Sequence, residues 1–119
     1  MLRTVDKIFG CLSILGTLGH TVGTILWAPF LSGIFVWSMG ASLGGFVLGA
    51  LNLLRAGRPT DRPLAWITAI GTAGTVLVAL GFGKSIGNCF DPRVVGNVVI
   101  STVLVLFSLR TLRTKKSVA

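Results

Sequence analysis

Of 119 residues, 52% are hydrophobic and only 12% are charged, where a soluble domain carries roughly 25% charged side chains. With a mean hydropathy of +0.86, such a chain in water would expose more apolar surface than it could cover, and a lipid bilayer is the solvent that removes the problem. The net charge of +8 is of the sign that nucleic acid attracts, but the basic residues stand at the termini and between long apolar runs, as the flanks of membrane spans do, so no nucleic-acid partner is expected.

Between Lys7 and Arg55 lie 47 residues without one Lys, Arg, Asp or Glu. As one helix they would extend about 70 Å, more than twice the ~30 Å hydrocarbon core, so the run must fold back once. Pro29 marks the place, since proline lacks an amide donor and disfavours a helical residue before it. Trp27 and Trp37 flank it, and indoles favour the membrane interface. The first two spans are therefore predicted at about residues 8–28 and 31–54. Asp6 precedes the first of them.

Residues 55–63 hold three arginines, two prolines and a glycine and read as a loop. A third span is predicted at about 64–83, followed by a short irregular connection from Lys84 to Phe90. Asp91-Pro92 is an N-cap followed by proline at the first helical position. It opens a fourth span at about 92–112, with a basic tail over 113–119. The fold class is thus an all-α integral membrane protein, a single four-helix domain over 1–119 made of two hairpins.

Orientation follows from counting. Arg3, Lys7, Arg55, Arg58, Arg62, Arg110, Arg113, Lys115 and Lys116 fall on one side, and only Lys84 and Arg93 on the other. Positive residues stay inside, so both termini are expected in the cytoplasm, with a bacterial inner membrane as the default location. Arg3 and Lys7 could begin a signal peptide, but the apolar stretch is too long and no A-x-A site follows. Cys11 and Cys89 are expected toward opposite membrane faces, too far apart to bond within the chain.

Lipid tails are as apolar as leucine, so helices in a membrane associate through close packing of small residues. Gly19-x-x-x-Gly23 lies in the first span; Gly40-x-x-x-Gly44 and Gly45-x-x-x-Gly49 lie in the second; Gly71 begins a series with Thr75, Ala79 and Gly83 in the third. Two strips on the second span suggest contacts both inside the bundle and to another subunit. A homo-oligomer or larger membrane complex is expected. A faint repeat pairs Gly16-Thr17-Leu18-Gly19 with Gly71-Thr72-Ala73-Gly74, as a duplicated hairpin would.

His20 is the most interior ionisable group and shares a helix face with Ser13, Thr17 and Thr24. Ionisable residues inside membranes are costly, which makes them functional candidates, and histidine is the side chain that changes charge near neutral pH. The bland alternative is an imidazole bonded to a neighbouring hydroxyl or carbonyl. Lys84, Asn88, Asp91, Arg93 and Asn97 collect at the outer end, and His20 is expected about 12 Å below it. These groups form a candidate transport site, although Asp91 also suits a helix cap paired with Arg93 or Lys84.

One histidine does not hold a metal alone. No paired carboxylates, nucleophile with a base, or cofactor fingerprint appears, so neither an enzyme nor a cofactor is expected. Size and span number are similar to those of the small multidrug resistance exporters. That family carries a glutamate in the middle of its first helix, and no such residue is present here. The primary expectation is a helix-packing subunit or scaffold. The alternative is a small-solute transporter or channel using His20 and the outer polar cluster.

Overall fold

A computed structural model of the protein describes residues 1–115. The apolar runs form four helices: α1 (Leu2–Trp27), α2 (Gly33–Gly57), α3 (Arg62–Ser85) and α4 (Pro92–Arg113). All four are long and apolar enough to cross a membrane. At 1.5 Å per residue they run about 33–39 Å, a little longer than the hydrocarbon core. Both ends of the described chain and the α2–α3 loop lie at one end of the bundle, here the basic end. Residues 116–119 of the expected basic tail, Lys116 included, lie outside the described residues.

Local chemistry sets the helix ends. After α1, Ala28 is extended and Leu31 takes a left-handed φ of 59°. Ser32 then caps α2, its hydroxyl accepting from the Phe35 amide. Asp61 caps α3 through the Leu64 amide, and Asp91 caps α4, with Pro92 as its first residue. The predicted irregular connection after α3 contains a defined stop. Gly87 has a φ of 68°, the Asn88 amide donates to the Gly83 carbonyl and the Gly87 amide to that of Lys84. That pair of bonds is the Schellman closure, which favours glycine at the left-handed position.

α2 extends through Gly57 rather than ending near residue 54. Arg55, expected in the loop, is therefore helical. α1 likewise begins at Leu2, so Asp6 lies within it rather than ahead of it.

α1 packs along α2 and α3 along α4. α1 also meets α4, α2 meets α3, and α2 and α4 touch across the diagonal, while α1 and α3 make no contact among the described residues. The interior is small and largely polar. Ala56, Ala65, Ala69, Val94 and Leu104 are buried, together with Ser42, Asn52, Thr68, Thr72, Ser101 and Ser108. The large apolar side chains, such as Leu26, Leu77 and Val78, point outward. Small residues inside let helix backbones approach, as helices in lipid require. Between α3 and α4, the hydroxyls of Thr68 and Ser108 bond at 2.9 Å in a fully buried position.

The glycines divide by face. A Cβ at Gly45 would lie 2.6 Å from Thr17 Oγ1, one at Gly49 2.6 Å from Ile14 Cγ1, and one at Gly71 2.8 Å from Leu48 Cδ1. These three lie against side chains of a neighbouring helix in the same chain. Gly19, Gly23, Gly40 and Gly44 do not: a Cβ on any of them would meet nothing within 4 Å. The physical reason is rotation about the helix axis. Gly44 and Gly45 differ by 100°, so only one of two adjacent strips turns toward α1. The two ends of the suspected repeat also differ, since Gly16 is open where Gly71 is packed.

Candidate functional site

The polar groups of the candidate transport site are engaged locally. Thr17 donates its hydroxyl to the Ser13 carbonyl at 2.9 Å, and Thr24 to that of His20 at 2.9 Å. Such bonds to the preceding turn satisfy a hydroxyl without leaving it for a solute. His20 is exposed on the bundle surface, with Nε2 lying 3.3 Å from the Ser38 carbonyl of α2.

Lys84 is exposed in the last turn of α3, where a cation complements the carbonyl end of the helix dipole. Asp91 Oδ1 accepts from the Arg93 amide at 2.9 Å, and its carboxylate takes two further 2.9 Å bonds from the Arg93 guanidinium. Those side-chain bonds, with the backbone bond, hold the Asp91 carboxyl at about 2, below its ordinary 3.8. Arg93 also stacks 5.4 Å over the Phe82 ring, and the Asn97 amide donates to the Arg93 carbonyl at 2.8 Å. Asp91, Arg93 and Asn97 thus form one capping unit. Among the described residues no hydrogen bond or ion pair joins His20 to them or to Lys84.

The basic end holds an arrangement that the sequence reading missed. Arg55, with no exposed surface, forms a two-pronged pair with Asp6, Nη1 to Oδ2 at 2.9 Å and Nη2 to Oδ1 at 2.6 Å. A planar guanidinium facing a carboxylate in this way is the strongest common form of ion pair. Nη1 reaches Thr111 Oγ1 and Nη2 reaches Asn52 Oδ1, each at 3.4 Å. Asn52 in turn donates to Thr72 Oγ1 at 3.0 Å. One connected polar network therefore includes a residue from each of α1, α2, α3 and α4. It is incomplete in one respect: Arg55 Nε is buried and has no hydrogen-bond partner.

Asp6 and Arg55 each lie near the end of an apolar run, where a charge is ordinarily a solvated flank. One signal pointed the other way. Asp6, Ser13, Thr17 and Thr24 recur at spacings of seven, four and seven, which puts all four on one side of α1. The polar stripe that contained the threonines already contained Asp6.

A hollow of about 170 Å³ opens beside this network, lined by Arg3, Asp6, Arg55, Arg110, Thr111 and Thr114 among others. A wider one lies between the α2–α3 loop and the end of α4, around Arg58, Arg62, Arg113 and Lys115. Neither is lined by His20 or by the outer polar groups. Comparison with known proteins finds no family model, no curated protein and no solved structure that matches the chain.

Proposed function

We propose that this chain is an integral membrane protein of four spans, with its basic end in the cytoplasm, and that it acts as a packing subunit or scaffold. Its partner is a second copy or a larger complex in a cytoplasmic membrane. One observation carries the reading. Gly16, Gly19 and Gly23 fall on one face of α1 at 100° per residue, and a Cβ on any of them would meet empty space. His20 borders that face and is exposed with them. A backbone groove edged by an imidazole suits another helix better than it suits lipid, because small residues allow close approach and a polar side chain gains a partner. Gly40 and Gly44 form a similar open strip on α2.

The orientation rests on charge. Among the described residues the basic end holds Arg3, Lys7, Arg55, Arg58, Arg62, Arg110, Arg113 and Lys115, and the other end Lys84 and Arg93. The transporter alternative would rest on His20 and the outer cluster, and local bonds already occupy most of those groups.

The test is the mass of the chain in lipid nanodiscs. Wild type is expected as a dimer or higher species. Gly19→Leu/Gly23→Leu and Gly40→Leu/Gly44→Leu fill the open strips and should shift the chain toward monomer with its helicity intact. A wild-type monomer would overturn the self-association reading. Release of the chain from membranes by alkaline extraction would overturn the membrane reading itself.

A further inference from the structure

We propose that the hollow between Arg3, Arg55 and Arg110 binds a phosphate group, presented either by a phospholipid headgroup or by a soluble phosphate. Arginines from three different helices lie around it, Arg3 and Arg110 exposed and Arg55 buried behind them. The single carboxylate among them, Asp6, is already held by both Nη atoms of Arg55. The lining therefore carries an excess of two positive charges. Arg110 has no carboxylate within 4 Å among the described residues, and Arg3 makes only a 3.3 Å bond to the Gly57 carbonyl.

The second observation is the unfilled donor. A buried N–H without an acceptor is rare and costly, and Arg55 Nε is one, on a residue that lines this hollow. The protein offers it no acceptor, so its partial positive charge stands uncompensated beside the hollow, while Arg55 itself has no exposed surface and a bound anion would touch Arg3 and Arg110. Thr111 and Thr114 also line the hollow, but their hydroxyls already donate to the Phe107 and Arg110 carbonyls and offer an anion no further donor. A water occupies roughly 30 Å³ of liquid, so about 170 Å³ accommodates a phosphate with some of its hydration.

Depth agrees with a lipid source, and this part rests on the membrane reading above. A helix of 26 residues spans about 39 Å against a ~30 Å hydrocarbon core and ~40–45 Å including headgroups. Arg3 lies in the first turn of α1, and Arg55 and Arg110 lie in the last turns of α2 and α4, all at the basic end. That is the level of the phosphates, where a juxtamembrane cation attracts anionic lipid.

The experiment uses the full chain in phosphatidylcholine nanodiscs, with or without phosphatidylglycerol, and separately with inorganic phosphate added. Bound species are counted by native mass spectrometry. Wild type should retain phosphatidylglycerol selectively. Arg3→Gln/Arg110→Gln should weaken retention by about 30-fold, about fivefold for each cation lost. Arg58→Gln/Arg62→Gln, at the same end but on the wider hollow, should change it less than about twofold on the same scale. The single Arg110→Gln removes no side-chain bond seen in the structure and isolates binding from folding.

If inorganic phosphate binds and depends on Arg3 and Arg110 while the lipid is not retained, the site stands with a soluble ligand. Equal losses in both double variants would mean a diffuse basic surface and would overturn the proposal, as would no retention of either probe. Failure of the membrane reading would show separately, as failure of the chain to enter nanodiscs.

Discussion

Replacing Asp6 with alanine is expected to rank with Arg55→Ala as the most damaging charge removal among the described residues. Arg55 would keep its burial and lose both short bonds, leaving two 3.4 Å contacts to Asn52 and Thr111. Breaking a buried ion pair from one side costs about 3–5 kcal/mol, because the other charge stays buried without its partner. Against a typical domain stability of roughly 5–15 kcal/mol, that is a large fraction of the whole. Arg55→Ala should cost about as much, since it strands Asp6 and leaves a void where α1, α2 and α4 meet.

The double variant should be far milder than the sum. Replacing both partners of a buried pair with apolar groups of similar volume is often neutral, so Asp6→Leu/Arg55→Met is expected within about 2 kcal/mol of wild type. The assay is reversible unfolding in mixed micelles, followed by helical circular dichroism, for wild type, both alanine singles and their double. The expected coupling in that cycle exceeds about 2 kcal/mol, within the range seen for residues in direct contact. Two independent costs that simply added, or an Asp6→Ala loss below about 1 kcal/mol, would refute the reasoning, because a solvated flank charge behaves that way.

Gly45→Ala and Gly49→Ala should each destabilise the monomer by about 1–3 kcal/mol, since Thr17 and Ile14 must move, whereas Gly40→Ala and Gly44→Ala should stay within about 0.5 kcal/mol; equal effects in the same unfolding assay would contradict the division of faces. Thr68→Val should cost about 0.5–1.5 kcal/mol, the net worth of one hydrogen bond, since Ser108 keeps its bond to the Leu104 carbonyl, and adding Ser108→Ala should cost little more, with additive losses counting against a shared bond. The Asp91 carboxyl should titrate near 2 rather than 3.8 by carbon NMR. Its folded value is depressed, so the favourable interaction with Arg93 is fully present above pH 3.8 and is lost as the pH falls through about 2. A midpoint at 3.8 would remove the capping unit.

The number of helices and their approximate ends were legible because each rests on a local cause. A long run without charge becomes a helix in an apolar solvent, Pro29 and the arginine- and proline-rich segment interrupt it, and Asp91-Pro92 opens the last one whatever it packs against. The polar side of α1 was legible too, from the spacing of Ser13, Thr17, His20 and Thr24. The role of Asp6 and Arg55 was not. They are 49 residues apart, and nothing local distinguishes a flank charge from half of a buried pair. Only the register of α1 against α2, with α4 closing over Thr111, brings the two together and takes them out of water. The same holds for the glycines: spacing identified the strips, but helix rotation decided that Gly45 and Gly49 face a neighbour while Gly40 and Gly44 face outward. Rotation and register depend on how whole helix surfaces fit together, and that information is distributed over four segments rather than written in any one of them.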